Sequence, residues 1–362
     1  MTAKRILSIV VIIGLAVLLV VALRNNTPTT TAPQPTLSVT ATNQDATGAV
    51  TVVGTITLPT NPEYVIWAYN AVQNAFLGYL PEDNQLAYIS SNATVRPITT
   101  ISNGTVIGIT INPDGEKMIA HILRDSGNQE LLYIALTDSG ATTSVLPYAA
   151  QSVDWLADGQ LVYLYHNQST ISISRATDAT FTEWQLITGL SMQYADATVT
   201  TSPDGQYILV ISATNQTVAV VNTSDKSIKS IDSQISSAQW ADSGHIAIMQ
   251  ETGSTNSFML YDAQSQETRR IDNSHTPYIG IVYNGYLIGI TPNFQDDTSA
   301  NLDTVVVNLT SGAATTGTTG IINTAVPSVI LADRTRQYLF IGTGSSLDSI
   351  SYDALATKVM PR

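Results

Sequence analysis

The sequence predicts an all-β chain, a seven-bladed β-propeller preceded by a single N-terminal transmembrane helix and a Thr/Pro-rich stalk. Three observations carry this reading. A short turn followed by an apolar strand recurs about every 44 residues, each period holds four β-rich runs, and the one long uncharged apolar segment is N-terminal. Helical spacing is sustained nowhere after that segment.

The N-terminal element comes first. Lys4 and Arg5 precede an uncharged run from Ile6 to Leu23, 18 residues, which as a helix is about 27 Å long and just able to span a bilayer. Basic residues before the span favour an inside N-terminus. Signal peptides usually carry a shorter apolar region of about 7–15 residues, so residues 1–24 are expected to stay as a signal-anchor. Val20-Val21-Ala22 would serve as the cleavage site in the alternative, and both readings export the remainder. Residues 25–49 begin Asn25-Asn26-Thr27-Pro28-Thr29-Thr30-Thr31-Ala32-Pro33 and offer almost nothing to bury, as expected of an extended stalk. The propeller is expected over residues 50–362, on the extracytoplasmic side of the cell membrane.

The repeat is carried by its turns. Asn112-Pro113-Asp114-Gly115 precedes Lys117 to Leu123, Ala157-Asp158-Gly159 precedes Gln160 to Tyr165, and Ser202-Pro203-Asp204-Gly205 precedes Tyr207 to Ser212. Ala241-Asp242-Ser243-Gly244 precedes His245 to Gln250, with weaker forms at Tyr283-Asn284-Gly285 and Ala332-Asp333-Arg334. The anchors Asp114, Asp158, Asp204, Asp242, Asn284 and Asp333 are spaced 44, 46, 38, 42 and 49 residues apart. Before Asp114 the run Ala75 to Leu80 adds a unit without the signature, which makes seven. In Pro-Asp-Gly, Pro sets the first turn dihedral, Asp bonds the neighbouring backbone, and Gly takes the positive φ at which the strands rejoin. Four strands per unit of about 40–45 residues is the blade of a propeller. Val50 to Leu58, alternating Thr with apolar residues, is expected to close the ring by joining the last blade beside Lys358 to Met360.

Trp155-Leu156-Ala157-Asp158-Gly159, Trp240-Ala241-Asp242-Ser243-Gly244 and Thr201-Ser202-Pro203-Asp204-Gly205 resemble the Tol-Pal-associated propeller repeats (TolB-like, WD40-like). The resemblance covers about residues 60–362 and implies an architecture more than an activity. Propellers of this kind serve as periplasmic interaction platforms, as side domains of peptidases and as isolated extracellular heads. This chain carries neither the small extra domain of the translocation protein nor a hydrolase domain.

Composition narrows the function. Beyond residue 24 there are 12 Lys and Arg against 28 Asp and Glu, a net of −16, so a nucleic-acid partner is not expected. Without cysteine there is no disulfide, thiol nucleophile or thiolate zinc site. His121, His166, His245 and His275 fall in different units without metal-ligand spacing. His121 alternates with Ile119 and Leu123 in a strand and reads as structural, whereas His166 and His275 read as loop residues. No Gly-x-Ser-x-Gly elbow occurs. Trp67, Trp155 and Trp240 are expected at the ends of innermost strands, stacking between blades, and Trp184 in an outer strand. Sequons at Asn25, Asn92, Asn103, Asn167, Asn215, Asn222 and Asn308 are numerous because Asn and Thr are.

The irregular acidic cluster is the connection Thr291 to Asp303, with Asn293, Asp296, Asp297, Asn301 and Asp303. It is the expected binding loop; calcium would suit its oxygen ligands, but no EF-hand spacing is present and no cofactor is expected. The sequence thus points to a binding or scaffold module, not an enzyme, for a protein partner or cell-envelope polymer, attached to the membrane through residues 6–23. The alternatives are an envelope assembly factor like the Tol-Pal translocation protein, or a propeller enzyme acting on glycans or peptides.

Overall fold

Each apolar run forms a strand, and the strands group by fours in chain order. The computed structural model describes residues 52–58, 64–90, 93–137, 140–147, 150–167, 169–181, 183–231, 234–252, 255–271, 279–283, 286–294, 300–308, 314–323, 329–332, 338–343 and 346–351. The expected anchor and stalk lie outside them. Among the described residues no helix is long and apolar enough to cross a membrane, and the helical content is one 3-10 turn, Met192–Tyr194.

β1 (Val52–Thr57) stands apart in the order. The first sheet is β2 (Val65–Asn70), β3 (Ala75–Leu80), β4 (Gln85–Ser90) and β5 (Val95–Thr100); the second is β6 (Gly104–Ile111), β7 (Lys117–Arg124), β8 (Gln129–Thr137) and β9 (Gly140–Val145). The third holds β10 (Ala150–Trp155), β11 (Leu161–Asn167), β12 (Thr170–Ala176) and β13 (Trp184–Leu190); the fourth holds β14 (Thr198–Thr201), β15 (Tyr207–Ser212), β16 (Thr217–Asn222) and β17 (Ile228–Ile231). The fifth is β18 (Ile235–Trp240), β19 (His245–Thr252), β20 (Thr255–Asp262) and β21 (Thr268–Ile271). The sixth is β22 (Ile279–Tyr283), β23 (Tyr286–Phe294), β24 (Ala300–Asn308) and β25 (Ala314–Asn323). β26 (Val329–Ala332), β27 (Tyr338–Thr343) and β28 (Ser346–Ser351) belong to the seventh. Among the described residues these are seven four-stranded antiparallel sheets, and the fourth strand of the last is β1.

That last pairing joins the two ends of the described chain. β1 runs antiparallel to β28, from Val52 opposite Ile350 to Thr57 opposite Ser346. The expected neighbour, Lys358 to Met360, lies outside the described residues, and Ser346–Ser351 takes that place instead. The reason is burial: Ile56 faces Leu347 in the register, and the two are 8% and 0% exposed.

The core lies between sheets. One buried cluster joins the first sheet to the second through Leu77, Leu86, Met118 and Ile134. Others join second to third through Ile119, Leu131, Val153 and Trp155, third to fourth through Val162, Ile173, Ile208 and Val210, and fourth to fifth through Leu209, Val220, Ile246 and Tyr261. A further cluster packs the seventh sheet on the first, with Ile56, Phe340 and Leu347 against Phe76 and Ile89. There Phe76 meets Phe340 edge-on at 4.9 Å, the geometry aromatic quadrupoles favour. The central strands of the first four sheets are therefore apolar on both faces, as a continuous run such as Tyr-Ile-Leu-Val-Ile requires.

The recurring turns join first to second strands and lie at one end of the sheets. Asp114, Asp158 and Asp204 each accept the amide two residues on, from Glu116, Gln160 and Gln206, and Gly115, Gly159 and Gly205 have φ of +73°, +80° and +73°. The first unit replaces the signature with Asn70. Its Oδ1 accepts the amides of Val72 and Gln73 at 3.1 Å, while its Nδ2 donates at 2.8 Å to the Tyr88 hydroxyl and to the carbonyl of Gly115 in the next sheet.

Gly205 and Gly159 separate two costs of a side chain here. At both, a β-branched residue is strained by about 1–2 kcal/mol at positive φ. At Gly205 a Cβ would also meet the Ala157 amide nitrogen at 3.0 Å, whereas Gly159 has open space. Gly205→Val is expected to lower the thermal midpoint further than Gly159→Val, and equal midpoints would show that the Ala157 contact yields without cost.

Candidate functional site

The connections between second and third strands, and between one sheet and the next, lie at the end opposite the Asp-Gly turns. There a groove of about 640 Å³ runs across the second to fourth sheets. Three sequence-distant pieces build it: the β7–β8 hairpin, the passage into β10, and the passage into β14. Leu131, Val145, Leu146 and Pro147 give an apolar wall, with Gln129, Gln151 and Thr198 adding amides and a hydroxyl. Val145 is 54% exposed although large and apolar.

The groove's charged side chains, Arg124, Glu130 and Asp196, are all engaged. Arg124 pairs with Glu130 and donates to the Ser102 carbonyl. Asp196 accepts the Ser212 hydroxyl at 2.7 Å. Burial alone would raise its pKa, but the hydroxyls of Thr214 and Ser212 and nearby amides outweigh that and hold it below its ordinary 3.8. The passage is pinned by Asn215, which donates to the Gln193 carbonyl at 2.6 Å. Asn215 is one of the sequons, and this amide is used within the fold.

The expected loop is placed differently. Thr291 to Phe294 continue β23 and Ala300 to Asp303 begin β24, with Thr291 opposite Asp303 and Asn293 opposite Asn301. The segment is therefore a long hairpin and not an irregular connection, except over 295–299, which lie outside the described residues together with Asp296 and Asp297. Its irregularity is a bulge against β25 between Asn301 and Asp303. This hairpin belongs to the same end as the groove. Among the described residues no group of three or more His, Asp or Glu could hold a metal.

Other expectations resolve individually. His121 sits in β7 opposite Gly108, and burial lowers its pKa below 6.5, as suits a neutral structural residue. His166 is a strand residue in β11 opposite Ile171, not a loop residue, because the pairing of β11 with β12 continues to Asn167 opposite Thr170. His275 lies outside the described residues. Trp155 and Trp240 end β10 and β18 and pack on Tyr133 and Tyr207 of the preceding sheets, at 6.1 and 6.3 Å. Trp67 instead stands in mid-strand at a bulge of β2. Trp184 is 60% exposed on the outer strand β13.

No family model and no curated protein matches the sequence. Solved structures do match. A chain of the mitotic checkpoint complex superposes with a TM-score of 0.58 at 13% identity, over 86% of this chain and 99% of that one. Oligogalacturonate lyase in complex with manganese gives 0.56 at 10% identity, over 88% and 98%. The chain is a β-propeller. TolB from Acinetobacter baumannii is also matched, at 12% identity over 71% of this propeller and 63% of that chain, with a looser TM-score of 0.41. The four-stranded blades are thus those foreseen from the repeat, and the likeness at these identities concerns the fold alone.

One ionisable pair ties a turn of the fifth blade. His245 Nδ1 lies 2.9 and 3.0 Å from the Asp242 oxygens, whose Oδ1 also accepts the amides of Gly244 and His245. The hydrogen bond to Asp242 raises the His245 pKa above 6.5 against the effect of burial. Burial works against ionisation of Asp242, yet the bonds from His245 and Gly244 hold its pKa below 3.8. The histidine's contribution is complete below pH 6.5 and disappears as pH rises through its raised value; the aspartate's is complete above pH 3.8 and disappears as pH falls. The melting advantage of the wild type over His245→Gln is therefore expected to be greatest between pH 3.8 and 6.5 and to shrink above 6.5. A margin still growing at pH 8 would contradict a charged pair.

Proposed function

We propose that the chain is a single-pass membrane protein whose stalk presents a seven-bladed propeller on the extracytoplasmic side, and that the head docks a protein partner or cell-envelope polymer in the groove. The observation that carries this reading is the groove's chemistry. An apolar wall beside amides and hydroxyls, with each charged side chain already engaged, suits recognition better than proton or group transfer. The seven sheets are read as the blades of one ring because the seventh packs on the first and closes through β1. Anchoring rests on the apolar run of residues 6–23.

A propeller enzyme would favour carboxylates converging on the central channel. Among the described side chains, those exposed on the first strands of the first five blades are Ile107, Gln151, Thr198, Thr200, Ser237 and Gln239, none of them charged, which supports a scaffold. The likeness to a chain of the mitotic checkpoint complex supports a protein as partner. An envelope assembly role, of the kind the Tol-Pal resemblance implies, is one form of the same docking.

The test is crosslinking capture from intact membranes with the full chain. Val145→Arg, at an exposed position, should leave the melting midpoint unchanged and abolish recovery of the crosslinked partner. Trp184→Arg, on an outer strand, should preserve recovery. Equal recovery with Val145→Arg would remove the groove from the reading, and release of the chain by a carbonate wash would remove the anchor.

A further inference from the structure

A second cavity, of about 220 Å³, opens between the fourth and fifth blades at the end that carries the Asp-Gly turns, opposite the groove. Tyr261 projects between the two sheets, belongs to their shared core and lines this cavity. It is 1% exposed, and its hydroxyl has no hydrogen-bond partner. A buried hydroxyl left unpaired opposes folding, so its retention needs a reason other than stability.

The surroundings supply one. On the turns of these two blades at this end stand Asp204, Asp225, Asp262 and Glu267, against Lys226. Asp242 is already paired to His245, and Arg269 and Arg270 stand on the adjoining strand β21. Asp225 also lines the cavity, with the amides of Gln264 and Gln266 and the ring of Tyr207. Burial first, then the Asp262 carboxylate and Tyr207, hold the Tyr261 hydroxyl above its ordinary 10.0. Of these causes, the nearby Asp262 carboxylate is the one that favours a positively charged donor.

We propose that this crevice seats one cationic side chain, a lysine ammonium or arginine guanidinium, of a basic protein segment lying across this end of the ring. The Tyr261 hydroxyl accepts from the cation, Tyr207 offers an aromatic face to it, and the acidic turns on either side attract the rest of the segment. Lys229 is the cation among the lining residues and opposes the guest. This seat is independent of the groove on the other end.

The probe is a fluorescein-labelled hexa-arginine peptide, its binding to the full chain in detergent followed by anisotropy. Tyr261→Phe removes one oxygen and no charge, so it should weaken binding about five-fold or more without altering its salt dependence. Because that oxygen has no partner in the fold, the variant should melt at the same temperature as wild type or higher. Lys229→Gln should tighten binding, since it removes the opposing charge. Unchanged affinity in Tyr261→Phe would reduce the attraction to a diffuse acidic surface and overturn the proposal, as would a lowered melting temperature, which would give the hydroxyl a structural role. Displacement of hexa-arginine by a neutral N-acetylglucosamine hexamer, lost in Tyr261→Phe, would make the crevice a glycan seat and overturn it equally.

Discussion

Each of the first four sheets has two apolar faces and can cover neither by itself. In β15, Ile208 and Val210 join the cluster shared with the third sheet, while Leu209 joins the one shared with the fifth. Each buried methylene contributes about 0.8 kcal/mol, and a sheet alone in water would leave both sets exposed. Stacking answers this for the middle sheets, but a linear stack would still end in two wet faces. Packing of Phe340 and Leu347 on Phe76 and Ile89 turns the stack back on itself, so that the first and last sheets also cover each other.

Once the faces are committed to packing, polar groups must be satisfied along the edges and at the two ends. Between the third and fourth sheets the first strands approach closely enough for the Val199 amide to donate to the Ser152 hydroxyl at 3.0 Å. The Thr201 hydroxyl donates to the Trp155 carbonyl at 2.6 Å, and its amide to Asp154 at 2.7 Å. The Trp240 indole reaches the Thr200 carbonyl in the same manner one sheet further on. These bonds leave little of the inner strands for recognition. Variation is left to the connections, where insertions do not disturb the stack.

What was legible in the sequence is what the chain decides locally. Asp114, Asp158 and Asp204 bind amides two residues away, so a short window reveals them, and the apolar strand that follows needs no partner to be recognised. Asn70 was not legible, because its role depends on Gly115 and Tyr88 in addition to its own turn. The groove escaped for the same reason: Gln129, Leu146 and Thr198 come from three connections that only the ring brings together. A hint existed in the 46-residue spacing of Asp158 and Asp204, which accommodates the passage through Met192–Tyr194. Charge misled at Thr291 to Asp303, where a carboxylate-rich sequence suggests a loop although the backbone pairs in register on both sides. An unpaired hydroxyl such as that of Tyr261 has no sequence signature.

The pairing of β1 with β28 also sets a timetable. About 290 residues separate Thr57 from its partner Ser346, and a ribosome adding roughly 5–20 residues per second takes about 15–60 s to make them. During that interval the first sheet holds one finished interface and one uncovered flank, with Phe76 and Ile89 at its centre, and β1 has no strand to pair with. Loop-closure entropy rises only logarithmically with such a separation, so the delay weighs little on equilibrium stability and heavily on the nascent chain's exposure to aggregation. The N-terminal half of the final seam is therefore made first and has to wait for β28.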